Sequence, residues 1–167
     1  RIDGTVPALA VGFIEVEVDT ETGRVEILDY LGVADCGTVL HPLGLAAQVR
    51  SGAVMGFGMA LTERHVYDSR WGLPGAVGLH HAKPPSYLDV PIQMDWAAVD
   101  IADPDNPVGA KGVGEPLQGC AAAALLCAVS DALGSHYFNR NPITLDLVGH
   151  ATARRPQATR PLATNTQ

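Results

Sequence analysis

Cysteine is scarce in this chain of 167 residues, which contains only Cys36, Cys120 and Cys127. None of them belongs to a CxxC pair or to a Cys/His spacing that suits zinc, which argues against a zinc-binding or disulfide scaffold. We expect reduced thiols and a cytoplasmic location. The Ala/Leu-rich surroundings of Cys120 and Cys127 predict that both are small core residues.

Positive charge is also scarce, with 11 Lys and Arg against 18 Asp and Glu and a net charge of −7. Three of the positive charges, Arg154, Arg155 and Arg160, lie in residues 151–167, which contain no acid, so residues 1–150 carry −10. Such an acidic body argues against nucleic-acid binding. We expect residues 1–150 to belong to one domain and residues 151–167 to form a polar tail that is disordered or clamped to a partner.

Long hydrophobic runs are absent as well. The apolar run of residues 116–130 is too short to cross a bilayer. We expect neither a signal peptide nor membrane contact. Hydrophobic residues still make up 47% of the chain, which excludes a disordered protein.

The hydrophobic pattern predicts strands first. Residues 10–19 alternate acidic and apolar side chains, with Ile14, Val16 and Val18 on one face, and residues 24–33 supply a second strand after a turn at Gly23. Residues 92–101 predict a third strand. Apolar helices are predicted at residues 42–61 and 117–133, and the second has so few charges that it should be buried on all sides. The predicted fold class is α+β, a mixed sheet with buried apolar helices.

Two further features indicate close packing or binding. The first predicted helix contains Gly44, Gly52, Gly56 and Gly58, although glycine costs roughly 1 kcal/mol in a helix interior. Something must therefore pass very close to this backbone, and a packed neighbouring helix or strand is the simplest explanation. The long loop of residues 68–91 is either functional or wraps around a partner.

Glu115 is the most informative residue, because it follows Gly112-Val113-Gly114 and precedes Pro116, which suits the first turn of a helix. The carboxylate is either an acidic helix cap or a general base at a glycine-lined cavity, whose N–H groups can bind anionic oxygens. The loop fits neither a P-loop nor a Rossmann fingerprint.

Two other polar residues have open interpretations. Lys111 is either a solvated loop charge or a contact to a phosphate or carboxylate beside the site. Gln48, inside an apolar helix, is predicted to be buried, and its amide either bonds nearby backbone or recognises a flat heterocycle. The adjacent His80 and His81 indicate a loop surface rather than a metal site.

Several short motifs occur in order along the chain. They are Val33-Ala34-Asp35-Cys36-Gly37, His41-Pro42, Gln48-Val49-x-x-Gly52, Gly56-x-Gly58-x-Ala60-Leu61-x-Glu63, Asp89-Val90-Pro91, Gly109-Ala110-Lys111-Gly112-Val113-Gly114-Glu115-Pro116 and Asp131-Ala132-Leu133-Gly134. Together they resemble the C-terminal part of the large, molybdenum-binding subunit of the xanthine dehydrogenase/aldehyde oxidase family, over roughly residues 10–148. His41, Ala47 and Ser51 depart from that family's usual Asn, Gly and Gly.

The resemblance implies the C-terminal part of a molybdopterin-binding domain and oxidative hydroxylation with water as the oxygen source. Glu115 would be the general base, and Gln48, Lys111, Gly112, Val113 and Gly114 would bind the cofactor. The implied cofactor is molybdopterin, in its cytosine dinucleotide form, with molybdenum held by the pterin and no protein metal ligand.

The same resemblance implies that the chain is incomplete as a catalytic unit. The remaining part of the molybdenum subunit would be a separate chain or be missing, and partner subunits would carry 2Fe–2S clusters and FAD. Substrates remain open among purines, N-heteroaromatics, aldehydes and aryl-CoA thioesters.

Two alternatives remain. In a carbon monoxide dehydrogenase-like subunit, Ser typically follows the glutamate, and Pro116 therefore favours the aldehyde and heterocycle branch. A non-catalytic assembly subunit on the same scaffold is the other alternative, and the intact Glu115 loop argues against it.

Overall fold

The computed structural model describes residues 8–134, 138 and 140–155. Its strands are β1 (Ala10–Val18), β2 (Val25–Ala34) and β3 (Gln93–Ala98), and its helices are α1 (Pro42–Leu61), α2 (Leu79–Ala82), α3 (Glu115–Ala132) and α4 (Leu145–Thr152). A short 3₁₀ turn covers Tyr87–Asp89. The predicted tail falls partly on α4, and residues 156–167 lie outside the described residues.

The three strands form one mixed sheet in the order β1-β2-β3. β1 and β2 pair antiparallel, from Ala10 opposite Ala34 to Val18 opposite Val25, so the two predicted strands and the turn between them form a β-hairpin. β3 pairs parallel to β2. The predicted α+β class with a mixed sheet is therefore confirmed, although β3 is shorter than the predicted strand of residues 92–101.

The core lies between the inner face of the sheet and the two long helices. As the alternation predicts, Ile14, Val16 and Val18 are half-buried on that face, whereas the acidic residues between them are exposed. Tyr30 of β2 meets Phe57 of α1 edge to face, with ring centroids 5.3 Å apart. Such an arrangement places the positive edge of one ring against the negative face of the other.

The glycines of α1 allow α3 to pack directly against it. A Cβ at Gly52 would lie 3.0 Å from the Leu117 Cβ, and one at Gly56 would lie 2.9 Å from the Ala121 Cβ. The expected close neighbour is therefore a helix. Because Gly52 faces the start of α3 and Gly56 faces its next turn, the two helices run in the same direction.

Helix α3 departs from the prediction that it is buried on all sides. The sheet and α1 cover two of its sides, and within the described chain a stripe spaced by four residues stays exposed: Glu115, Gly119, Ala123, Cys127 and Asp131. The prediction that Cys127 is a core residue is therefore wrong for this chain. Cys120 is half-buried, with its Sγ donating to the Leu117 carbonyl at 3.3 Å.

Candidate active site

The first turn of α3 presents Glu115 at the surface of the chain. Glu115 is the first helical residue, Pro116 follows it, and Gly114 is the N-cap without any side-chain cap. Gly114 has φ +149° and ψ −88°, a conformation that favours glycine because side chains rarely tolerate it. The glycine thus turns the chain into the helix and leaves the Glu115 carboxylate exposed, where the positive end of the helix dipole stabilises an anion.

The residues just before Glu115 have main-chain donors without acceptors. Within the described part of the chain, the N–H groups of Gly112, Val113 and Gly114 form no hydrogen bond. A Cβ at Gly112 would meet nothing within 4 Å. Three such donors, with open space beside Gly112, fit an anionic ligand, since successive free N–H groups and a helix N-terminus bind oxyanions.

Gln48 lies next to this turn, but it is not the buried amide that the sequence predicts. Its side chain is exposed, and its Oε1 would lie 3.7 Å from a Cβ placed on Gly114. Gly52, one turn further along α1, already packs on the carbonyl of Gly114. Gln48 therefore projects beyond the start of α3, where no helix covers it, and remains available to a ligand.

Lys111 is paired with a carboxylate rather than solvated. Its Nζ lies 2.8 Å from Oδ2 of Asp35, and the two side chains are only 17% and 21% exposed. Sequence reasoning assigned no role to Asp35, although it lies in one of the family motifs. Lys111 is one of only two lysines in the sequence, and this scarcity is a signal that could have prompted the question of which acid pairs with it.

The Lys111 segment is fixed to the chain that follows β2. Lys111 N–H donates to the Cys36 carbonyl at 2.8 Å, and Thr38 N–H donates to the Gly109 carbonyl at 2.8 Å. Gly37 and Ala110 form an isolated antiparallel bridge between these bonds. Burial raises the pKa of the Cys36 thiol, and the nearby carboxylates add to that effect, so the thiol is neutral beneath the segment.

A large groove of the described chain lies elsewhere. It has a volume of about 1140 Å³ and is lined by the start of β2, the end of α1 and residues 81–92 and 142–146. Leu61 in this groove lies 13 residues after Gln48 on α1, roughly 20 Å along the helix. None of the predicted site residues lines it, so the groove and the candidate site are separate features.

No cluster of His, Cys, Asp and Glu among the described residues could hold a metal ion. His80 and His81 lie exposed on α2. None of the helices in the described ranges combines the length and the apolar character that a membrane span requires.

Comparison with known proteins connects this arrangement to a family. The family model for the molybdopterin cofactor-binding domain matches residues 3–91, more than half of the chain. The putative xanthine dehydrogenase molybdenum-binding subunit of Escherichia coli K12 is 37% identical over 128 residues, which are 77% of this chain and 17% of that protein. A subunit of the 6-hydroxypseudooxynicotine dehydrogenase complex of Paenarthrobacter nicotinovorans is 33% identical over 80% of this chain and 17% of that protein.

A solved structure shows the same fold. Quinoline 2-oxidoreductase of Pseudomonas putida 86 superposes with a TM-score of 0.77 at 32% identity, covering 84% of this chain and 18% of that one. The chain thus spans less than a fifth of the length of the relatives it matches. It belongs to the xanthine dehydrogenase/aldehyde oxidase family of molybdenum hydroxylases and forms part of the molybdopterin-binding subunit.

Proposed function

We propose that this chain supplies the general base and part of the cofactor-binding surface of a molybdenum hydroxylase. The part that consists of the N–H groups of Gly112, Val113 and Gly114 is called the cradle below. The observation that carries the proposal is the order of groups at the start of α3. Three unpaired N–H donors, of Gly112, Val113 and Gly114, are followed directly by the exposed carboxylate of Glu115. A ligand held by these donors would lie beside a proton acceptor.

Each group has a distinct role in this proposal. The three N–H groups bind anionic oxygens of the pterin cofactor, and the exposed Gln48 amide offers both a donor and an acceptor to its heterocycle. When bound, the molybdenum cofactor supplies a Lewis acid and a two-electron acceptor. Glu115 accepts a proton from the oxygen nucleophile, which derives from water, as that nucleophile attacks an electron-poor carbon.

The substrate class and the partners belong to the same proposal. The substrate is an N-heterocycle, an aldehyde or a related small molecule. The cofactor is the cytosine dinucleotide form of molybdopterin, and electrons leave through partner subunits that carry 2Fe–2S clusters and FAD, in the cytoplasm. The name of the Paenarthrobacter nicotinovorans relative, which describes a subunit of a dehydrogenase complex, supports an assembly of several chains.

The first test is Glu115→Gln in the molybdenum-loaded complex. The amide keeps the shape of the side chain but cannot take the proton, so we expect turnover to fall by at least roughly 10²–10⁴-fold. Molybdenum and pterin content should stay near those of the wild type. Asp131→Asn is the matched control, because Asp131 is an exposed acid on the same stripe at the other end of α3. Turnover of Glu115→Gln within a few-fold of wild type would reduce Glu115 to a helix cap.

The second test examines cofactor binding by the loop independently of proton transfer by Glu115. Gly112→Val adds a side chain where the first added atom meets nothing in this chain, so the fold should tolerate it. We expect less pterin and molybdenum per folded complex, since the branched side chain would occupy the space beside the N–H groups. Gly149→Val is the control, because Gly149 on α4 also has open space around it. Full cofactor occupancy in folded Gly112→Val would move the cofactor away from this loop.

A further inference from the structure

The hydrogen bonds that tether the site loop, residues 109–115, end at Lys111, four residues before Glu115. Up to that point the loop is held by the main-chain bonds to Cys36 and Thr38, and the Gly109 carbonyl also accepts from the Asp103 N–H at 2.8 Å. Within the described chain, the N–H groups of residues 112–114 donate no hydrogen bond, and the Gly114 carbonyl accepts one from the Leu117 N–H at 3.0 Å, which belongs to the start of α3. The position of the cradle and of Glu115 therefore depends on how firmly Lys111 is held at one end and α3 at the other.

The side chain of Lys111 provides the last of these tethers. Its ammonium group contacts the Asp35 carboxylate at 2.8 Å, with most of both side chains withdrawn from solvent. Asp35 is itself fixed at the end of β2, where its N–H donates to the Leu9 carbonyl at 2.8 Å. A short, largely buried pair of this kind is sensitive to the loss of one partner, because the remaining charge is left without compensation.

We propose that the Asp35–Lys111 ion pair is a positioning device that ties the cradle and Glu115 to the end of β2. This inference rests on the proposed function of Glu115 and deepens it. The family resemblance implies that Lys111 binds the cofactor directly. The ion pair gives Lys111 a different role, which is to hold the loop in place. The two roles predict different effects of losing Asp35, since a lysine that only binds the cofactor does not require this acid, whereas a lysine that holds the loop does.

The test compares Asp35→Asn, Lys111→Met and the double variant in the molybdenum-loaded complex. We expect each single variant to lower kcat per bound molybdenum by roughly tenfold to 10²-fold, because misplacement of a reacting group by about 1 Å has such an effect. KM and molybdenum content should change much less. The double variant should be no worse than either single one, since partners in one interaction act non-additively. Lys111→Arg should restore most of kcat.

A second readout is independent of activity. Amide hydrogen exchange of the peptide covering residues 109–115 should be faster in both single variants, because the loop loses a tether. Glu26→Gln is the control, since it breaks an exposed ion pair between Arg24 and Glu26, 3.9 Å apart with side chains 73% and 61% exposed. It should change neither exchange nor kcat. The double variant leaves no buried charge unpaired, so it keeps the test informative if a single variant folds poorly.

Specific outcomes would overturn the proposal. If Lys111→Met loses pterin and molybdenum while Asp35→Asn keeps both, Lys111 binds the cofactor directly. If Asp35→Asn leaves both loop exchange and kcat unchanged, the pair does not position the loop. An active Glu115→Gln enzyme would contradict the proposed base, whereas faster exchange in Asp35→Asn would still support the tether, so the two failures are distinguishable.

Discussion

Residues 109–115, which lead into α3, and residues 63–92, which join α1 to β3 and include α2, make different kinds of contact. The first is tied to residues far away in sequence, as in the Lys111–Asp35 pair that joins positions 76 apart. Among the described hydrogen bonds whose donor and acceptor both lie within residues 63–92, the one with the largest sequence separation joins the Gly75 N–H to the Val66 carbonyl. The first connection is thus fixed by tertiary structure, whereas the second is organised mainly by its own turns.

The exposed side chains sharpen this difference. Within residues 63–92 the large apolar side chains of Tyr87, Leu88 and Ile92 are 91%, 90% and 103% exposed. Exposed apolar residues grouped in this way indicate a surface that is covered by another part of the protein. Since the chain spans 17% of a curated relative's length, we expect the remaining part of the molybdenum subunit to cover this segment.

The largest expected effect comes from adding a methyl group at Gly37, which packs against residues 109–110, compared with one at Gly72 in the second region. Gly37 (φ +65°) and Gly72 (φ +66°) have the same left-handed backbone, but a Cβ at Gly37 would collide with the Gly109 carbonyl, whereas one at Gly72 would meet nothing. Gly72→Ala should cost about 1–2 kcal/mol of conformational strain. Gly37→Ala should add about 1–3 kcal/mol of overpacking, and should loosen the site loop.

Thermal unfolding of the loaded complex, with cofactor content measured in parallel, checks this pair of variants. Equal losses of stability in Gly37→Ala and Gly72→Ala would show that the bridge between Gly37 and Ala110 contributes no more than backbone conformation does. The contrast between the two regions would then lose its main support.

A second prediction concerns the isolated chain of 167 residues. We expect it to aggregate, because the apolar side chains of residues 63–92 lack a covering surface. Replacing Tyr87, Leu88 and Ile92 together by Ser, Ser and Thr should raise the soluble fraction several-fold. Leu43→Ser, at a site on α1 that is 76% exposed, is the control and should change little. Size-exclusion chromatography measures the outcome, and a monomeric, cooperatively melting wild-type chain would contradict it.

The smallest expected effect is a pH dependence that originates in the core. Tyr30 is 1% exposed, and burial, together with the neighbouring Cys120 thiol, raises its pKa above the ordinary value of 10.0. Above pH 10 the unfolded chain loses this proton while the folded chain keeps it. Tyr30 therefore contributes no pH dependence below that value and lowers stability as the pH rises beyond it, by up to about 1.4 kcal/mol per pH unit.

Tyr30→Phe removes this contribution. Relative to wild type, its melting temperature should rise between pH 9 and pH 11, although at neutral pH it should be equal or slightly lower. Tyr87→Phe, in the exposed segment, is the control. Parallel curves for wild type and Tyr30→Phe across this range would show that Tyr30 does not titrate differently in the folded chain.

Much of the fold could be predicted because its signals are local. Alternation along residues 10–19 places Ile14, Val16 and Val18 on one face of a strand, whatever the strand pairs with. Pro116 and the apolar run after it likewise mark a helix start, so the place of Glu115 at that start also follows from neighbouring residues. The family motifs added the cofactor expectation, which sequence periodicity alone does not contain.

Burial and long-range pairing could not be predicted in the same way. The same apolar surroundings that suggest a buried Gln48 and a core Cys127 also occur on the open sides of α1 and α3. Only the offset between the two helices decides that Gln48 extends past the start of α3, and only the positions of the sheet and α1 decide that Cys127 is uncovered.

The sequence by itself determined the three strands, the two long helices, the helix start at Glu115 and the glycine-rich turn, since each depends on neighbouring residues. Only the tertiary structure decided that Asp35, 76 residues away, is the partner of Lys111 and that Gln48 lies beside Gly114. The physical reason is that hydrophobic periodicity reports which side of an element is apolar, whereas a charge pair depends on how separate elements are placed against each other.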